Sequence, residues 1–375
     1  MKRIASVTLL IAFFLTMQKI VALPIGNDKP AKIKAKSVKK MMEKVADWQL
    51  NRWKERGSKY RWYDWTNAAG YTGLLALSNI SSKNQYIQAL LQRGDSLHWD
   101  TGPRRFHADD YCIGQTYSLL YAKFKEDKMI ANFRRLADSI VAAPHTESLE
   151  WKNNITNREW AWCDALFMGP TALSYLGTVT GEQKYLNIAS RLWWKTTDYL
   201  YDSVEHLYSR DGSYLDKKEK NGTKVFWSRG NGWVFAGLAR VLENIRENYP
   251  DRKRFVSLYK DMAAKISSLQ QPDGSWHASL LDPASYPIKE MSGTGFYCYG
   301  LMWGINNGLL DKKTYWPVIK KAWNVLVSSV HEDGMLGFIQ PIGAAPDKVD
   351  ANSTEIYGVG SFLLAGSEIY KYVKN

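Results

Sequence analysis

Pro272-Asp273-Gly274-Ser275-Trp276 is a turn signal between two apolar, helix-period segments. It has counterparts at Arg210-Asp211-Gly212-Ser213-Tyr214 and at Glu332-Asp333-Gly334-Met335-Leu336. Asp-Gly punctuates a chain because the Asp side chain bonds nearby backbone and Gly accepts conformations closed to other residues. The three aspartates stand 62 and 60 residues apart. A period of about sixty residues holds one helical hairpin, and self-similarity of this kind marks repeat architectures. Apolar segments of helical period fall near 36–56, 65–80, 82–98, 108–125, 127–142, 161–180, 182–201, 229–249, 250–269, 291–308, 311–331 and 352–373, as in the spacing of Leu192, Thr196, Tyr199 and Leu200. Twelve helices make six hairpins, which close into an all-α (α/α)6 barrel. An open solenoid is the alternative. Closure is favoured because both terminal segments are apolar and lack a polar capping repeat. The even-numbered segments carry glycine-rich apolar runs (Ala68 to Gly73, Gly295 to Gly304, Gly358 to Gly360) that suit a crowded inner ring, and the odd ones are more charged, as an outer ring requires. The long connections entering the inner helices then surround one end of the axis, where a site is expected.

The first residues read differently. Lys2 and Arg3 precede an apolar run from Val7 to Met17, and Ala22 offers a small-residue cleavage point. This pattern predicts a signal peptide over 1–22, too short for a membrane span, and a single catalytic domain over 23–375. Export to the periplasm or beyond is the corresponding expectation, with no membrane attachment after cleavage. Of 375 residues, 50 are Lys or Arg and 37 Asp or Glu, a formal net charge of +13. Such a charge suits an anionic partner. The basic residues are scattered apart from a cluster over 29–40 and no nucleic-acid-binding motif accompanies them, which argues against nucleic acid. With 16 Trp and 22 Tyr, an acidic oligosaccharide is the better match, because aromatic faces stack on sugar rings. Cys112, Cys163 and Cys298 are too few and too irregular for a disulfide framework or a metal site. Buried free thiols are expected, with no metal and no cofactor.

The starts of the even helices share one phase of the repeat and carry polar and aromatic residues: Tyr63-Asp64-Trp65, His107-Ala108-Asp109-Asp110, Trp160-Ala161-Trp162-Cys163-Asp164, Trp227-Ser228-Arg229-Gly230-Asn231-Gly232-Trp233, and Asp350-Ala351-Asn352. The ordinary reading of Asp, Ser, Thr or Asn at a helix start is a cap. It serves well for Asp64, Asp350 and Asn352, and for one of Asp109 and Asp110. It serves poorly for Asp164, which has apolar residues on both sides. Trp162 and Trp233 are equally readable as core. A carboxyl group in poorly hydrated surroundings keeps its proton to higher pH, because desolvation disfavours the anion. Such a group acts as a general acid near neutral pH. Arg229 offers a bidentate grip on a carboxylate, at a helix N-terminus with its own N–H donors.

Trp162-Cys163-Asp164-Ala165-Leu166-Phe167-Met168, Trp227-Ser228-Arg229-Gly230-Asn231-Gly232-Trp233 and Asp273-Gly274-Ser275-Trp276, in this order, resemble glycoside hydrolase family 105, the unsaturated rhamnogalacturonyl and glucuronyl hydrolases related to family 88. The likeness spans nearly the whole chain after residue 22. It implies an (α/α)6 barrel and removal of a 4,5-unsaturated uronate from the non-reducing end of lyase-generated acidic oligosaccharides, by hydration of the C4=C5 bond. It implies that Asp164 is the proton donor and then activates the water. A second catalytic aspartate falls at the start of the fourth helix, on Asp109 or, failing that, Asp110. Arg229 and Trp233 are implied to contact the uronate, with Trp162 beside the acid and His107 near the polar ring. Many family members carry a His in the loop where this chain has Arg210, which points to a carboxylate or sulfate partner for Arg210, and the excess basic charge, taken alone, points to a sulfated polymer such as ulvan beside rhamnogalacturonan. Two other functions fit the same residues: an inverting glycosidase using two carboxylates on saturated polysaccharide, and a non-catalytic glycan-binding protein.

Overall fold

The computed structural model describes residues 32–150 and 159–374, so the predicted signal peptide lies outside the described residues. Twelve α-helices follow one another: α1 Ala35–Arg56, α2 Trp65–Ser78, α3 Gln85–Ser96, α4 Ile113–Phe124, α5 Lys128–Ala142, α6 Ala165–Thr180, α7 Gln183–Leu200, α8 Ser228–Asn244, α9 Arg252–Ser268, α10 Met291–Asn306, α11 Lys312–Ser328 and α12 Ile356–Lys374. The even helices form a closed ring, each against two even neighbours, with α12 returning to α2. The odd helices lie outside, each mainly against one or two inner helices. This is the (α/α)6 barrel expected from the repeat, and the return of α12 to α2 excludes the open solenoid.

Burial separates the two rings. In α10 every residue from Met291 to Gly304 is buried, and in α6 every residue from Ala165 to Gly177. A helix apolar all round belongs inside. The outer helix α5 buries only Met129, Ile130, Phe133, Ala137 and Ile140, a single stripe. Close packing of the inner ring uses bare backbone. A Cβ on Gly73 would stand 2.5 Å from the Gly360 carbonyl oxygen, and one on Gly360 would strike the Ala69 carbonyl. Pro170 sits inside α6, and the Leu166 carbonyl accepts instead from the Thr171 hydroxyl at 3.1 Å.

The connections differ sharply in length. Those leaving inner helices are short (79–84, 125–127, 181–182, 245–251 and 307–311), and those entering them are long (97–112, 143–164, 201–227, 269–290 and 329–355). All the long ones therefore gather at the N-terminal ends of the inner helices. Two carry short antiparallel pairs, Tyr201–Asp202 (β1) with Leu207–Tyr208 (β2), and Trp276–His277 (β3) with Lys289–Glu290 (β4). The Asp-Gly turns lie in three of them. Asp273 and Asp333 each accept the N–H two residues on, at 2.9 and 3.0 Å, around glycines at φ +92° and +104°. Asp211 makes the same bond to Ser213 at 2.8 Å.

Three helix starts lie four or five residues later than the sequence reading placed them. α4 is preceded by a separate 3-10 turn, Ala108–Tyr111. α6 begins after Asp164 rather than at 161, and α12 after Glu355 rather than at 352. In each case the polar residues occupy an ordered turn ahead of the helix. The three cysteines are free and buried. Replacing Gly360 by Val puts a branched side chain against the α2 backbone, and overpacking of this kind costs about 1–3 kcal/mol or more. The expected outcome is a clear fall in melting temperature, whereas Gly222→Val, at a site with nothing within 4 Å but φ +85°, costs only local backbone strain.

Candidate active site

Asp164 immediately precedes α6, where an aspartate usually accepts from the first N–H groups of the helix. Its side chain makes no such bond. Its Oδ2 lies 3.4 Å from Cys163 Sγ and 4.0 Å from Arg210 Nε. Backbone pairing sets this up. The Cys163 N–H donates to the Arg210 carbonyl at 2.8 Å, and Trp162 bridges to Asp211 in antiparallel fashion. The Asp-Gly turn after α7 is thus stitched to the segment before α6 and delivers Arg210 to the carboxylate. Arg210 Nη1 also pairs with Asp211 Oδ2 at 2.5 Å. Burial pushes the Asp164 carboxyl above the usual carboxylate range, against the pull of Arg210 and Arg229.

Asp109 stands in the 3-10 turn before α4. Burial raises its pKa to about 7, opposed by Arg104 at 3.8 Å and assisted by the negative charges of Asp164, Asp110 and Asp64. His107 Nδ1 lies 3.5 Å from Asp109 Oδ2 and accepts the Asp109 N–H at 3.4 Å. Burial and Arg104 hold His107 down to about 4, so the ring is neutral at pH 7. Its ring packs on Trp162, centroids 4.9 Å apart. Asp164, Asp109, His107, Trp162 and Arg210 therefore meet at one mouth of the barrel.

The remaining predicted residues have partners within the protein. Asp110 is buried and accepts three bonds from Arg104, from the backbone N–H at 2.5 Å, Nε at 3.1 Å and Nη2 at 2.6 Å. Both of its oxygens are occupied in folding the 104–110 loop, which distinguishes it from Asp109. Arg229 is 1% exposed, and its terminal nitrogens donate to the carbonyls of Gln340 and Pro341 at 2.5 and 2.9 Å. The fork that would grip a carboxylate is engaged with backbone, and its cationic face packs on Trp227 and Tyr357. Trp233 is fully buried among Trp65, Phe167 and Phe296, with no face open to a ligand. Asp64 caps α2, accepting from the Thr66 N–H at 3.0 Å and its hydroxyl at 2.7 Å.

Two residues near this mouth were not singled out from the sequence as site candidates. Trp65 is a partly exposed indole at this mouth, stacked on Tyr357 at 5.3 Å. It shares the phase of the other helix starts, a signal that was there to be used. Gln340 had none. It is buried, accepts from Trp227 Nε1 at 2.9 Å, donates to the Ala345 carbonyl at 2.8 Å, and its backbone carbonyl receives Arg229 and Tyr357. Among the described residues no group of three or more His, Cys, Asp or Glu side chains is placed to hold a metal ion.

A closed (α/α)6 barrel with two desolvated carboxyl groups at its long-loop mouth defines a glycosidase type of site. Residues 35–373 match the model of Glycosyl Hydrolase Family 88, and the chain belongs to that family of glycoside hydrolases. It is 40% identical over 321 residues to an unsaturated 3S-rhamnoglycuronyl hydrolase of Formosa agariphila, covering 82% of this chain and 84% of that protein. It is 32% identical over 376 residues to another of the same name from an Alteromonas species, covering 94% and 90%. A solved chain described as a polysaccharide lyase is similar at 32% identity and a TM-score of 0.82, covering 91% of this chain and 98% of that one.

The raised pKa of Asp109 has a consequence for stability. The native state keeps a proton that the unfolded chain releases between about pH 4 and 7, so this group contributes stability at low pH that is lost as pH rises through about 7. Asp109→Asn removes the titration. The variant is expected to match the parent melting temperature near pH 4 and to exceed it by roughly 2–4 °C near pH 8, measured by thermal unfolding at the two pH values.

Proposed function

We propose that this protein is an unsaturated uronyl hydrolase, with Asp164 as its proton donor. The observation that carries the reading is an aspartate at a helix start that caps nothing, its carboxyl pushed up by burial beside a second raised carboxyl, Asp109. The substrate is an enol ether, with C4=C5 attached to the ring oxygen of a terminal uronate. Asp164 delivers its proton to C4, and positive charge develops at C5 and the ring oxygen. The Asp164 carboxylate then takes a proton from the water that adds at C5. The resulting hemiketal opens to a ketone, the former ring oxygen becomes a hydroxyl on C1, and C1 expels the neighbouring sugar. Both reacting centres lie in the sugar that enters the mouth. Asp109, near neutrality in its titration, exchanges protons with the same water or with a ring hydroxyl.

The uronate carboxylate falls to Arg210, which is partly exposed and already beside Asp164, rather than to Arg229. Trp162 and His107 form the wall next to the acid. The names of the two relatives support a rhamnose unit next to the unsaturated uronate, and the net charge of +13 supports a sulfated parent polymer of the ulvan type. Export to the periplasm or outside the cell is part of the same reading and rests on residues 1–22.

The test is ultraviolet absorbance of the conjugated C4=C5 bond. Lyase-generated oligosaccharides from ulvan and from rhamnogalacturonan are mixed with the protein in separate cuvettes. Hydration removes the absorbance, and Asp164→Asn is expected to slow the loss by about 10²–10⁴-fold. The likeness to a chain described as a lyase favours a second reading with the opposite sign. A lyase creates the double bond, so absorbance would rise on intact polymer and the oligosaccharides would be untouched. Arg210→Lys keeps the charge but loses the planar fork. It is expected to raise KM for the unsaturated substrate more than it lowers kcat, in steady-state kinetics.

A further inference from the structure

His107 stands at the N-terminal end of the 3-10 turn that carries Asp109, in the place of a capping residue. Its Nδ1 faces two groups of Asp109: the backbone N–H, which donates to it at 3.4 Å, and the carboxyl Oδ2 at 3.5 Å. The N–H decides the tautomer. A hydrogen on Nδ1 would meet the amide hydrogen head-on, so Nδ1 carries a lone pair and the ring hydrogen lies on Nε2. The backbone holds this arrangement, because the His107 carbonyl accepts the Asp110 N–H at 3.1 Å and closes the same turn. Burial and the charge of Arg104 disfavour a second proton, which leaves a neutral ring with one donor.

That donor has no acceptor among the described residues, and it is not sealed inside the protein. The His107 side chain keeps 12% of its surface open, and Nε2 is not one of the buried atoms left without a partner. Trp162, two residues before Asp164, covers one side of the ring, with centroids 4.9 Å apart. Asp109 occupies the Nδ1 edge. The edge left open is the one that carries the hydrogen, at the mouth where Asp109 and Asp164 influence each other's charge. The oxygen that suits it is a neutral one. A carboxylate placed there would lie beside Asp109, whereas a hydroxyl accepts from Nε2–H through its oxygen and still has its own hydrogen to give to a carboxylate. The cation for the uronate carboxylate, Arg210, is beside Asp164 instead.

We propose that His107 is a substrate-positioning residue that donates its Nε2–H to a hydroxyl oxygen of the sugar entering the mouth, an inference that rests on the hydrolase reading above. Two substitutions separate this role from that of a cap. Asn reaches only as far as Nδ1, so His107→Asn keeps an acceptor for the Asp109 N–H and loses the donor. Gln reaches as far as Nε2, so His107→Gln keeps a donor and loses the cap. His107→Asn is expected to raise KM for the unsaturated oligosaccharides about two- to tenfold, the usual worth of one neutral hydrogen bond, with kcat and melting temperature close to the parent's. His107→Gln is expected to lower the melting temperature and to hold KM nearer the parent's. A residue that only caps the turn reverses the order, with Asn harmless and Gln harmful, and that result overturns the proposal. So does an equal rise in KM for both variants. So does a nitrogen-15 NMR spectrum of the labelled protein in which the ring signals lost in His107→Asn are those of an Nδ1–H tautomer. Failure of the hydrolase reading looks different: the parent protein then leaves the ultraviolet absorbance of both kinds of oligosaccharide unchanged, and the proposal falls with it.

Discussion

The backbone-to-backbone contact between α2 and α12 is the constraint on which the rest of the barrel depends. A ring of six inner helices closes only if the last can lie against the first, and here it does so with almost no side chain between them. Gly73 and Gly360 face each other, and Gly70 faces Ile356. Interiors pack at crystal-like density, so a methyl group at such a contact is not absorbed locally. Closure also removes the exposed apolar faces that an open stack of hairpins would leave at its two ends. Everything at the catalytic mouth takes its position from that ring. The long connections converge because the inner helices that they enter are parallel neighbours in a closed circle.

The same close packing explains the electrostatics of the mouth. Asp164 and Asp109 stand just ahead of two inner-ring helices, α6 and α4. Burial is the largest influence on both. Cations are present but indirect. Arg104 gives its best bonds to Asp110, Arg210 to Asp211, and Arg229 to two carbonyls. Had any of these guanidinium groups bonded Asp164 or Asp109 bidentately, it would have pulled the carboxyl back toward the anionic form. Diverting each arginine to a structural partner leaves the two carboxyl groups raised while keeping positive potential nearby.

Much of this was legible in the sequence, and the parts that were not share a cause. Twelve helices and their pairing followed from apolar period and three Asp-Gly turns, because those are local signals. The oddity of Asp164, an acid among Trp, Leu, Phe and Met, was equally local. The fates of Asp110, Arg229 and Trp233 were not. Each depends on a partner far away in the chain or on which side of a turn a side chain leaves. Asp109 and Asp110 are adjacent and identical in type, and a 3-10 turn sends one to the mouth and the other to Arg104. The partner of Arg229 is a loop some 110 residues on, in a segment with no motif of its own. The starts of α4, α6 and α12 were placed early for a related reason. Polar residues able to cap also build the ordered turn before the cap, and sequence alone does not separate the two.

That loop shows how a recognisable block can be structural in its details. Glu290 is fully buried ahead of α10. It accepts from the N–H groups of Ser292 at 3.0 Å, Gly293 at 2.7 Å and Gln340 at 3.1 Å. Gln340 in turn receives Trp227 on its side chain and Arg229 on its carbonyl. Asn231 clamps β2, accepting the Tyr208 N–H at 2.7 Å and donating to the Tyr208 carbonyl at 3.0 Å. The block Trp227-Ser228-Arg229-Gly230-Asn231 is thus a junction of three connections, those before α8, α10 and α12. The Asn231 arm holds β2 one residue from the Arg210-Asp211 pair, and Arg210 is the residue that faces Asp164. Specificity at Asp164 therefore reaches it through backbone geometry. A substitution at Asn231 or Gln340, neither of which touches the acid, would move the cation beside it and with it the balance between burial and charge at that carboxyl.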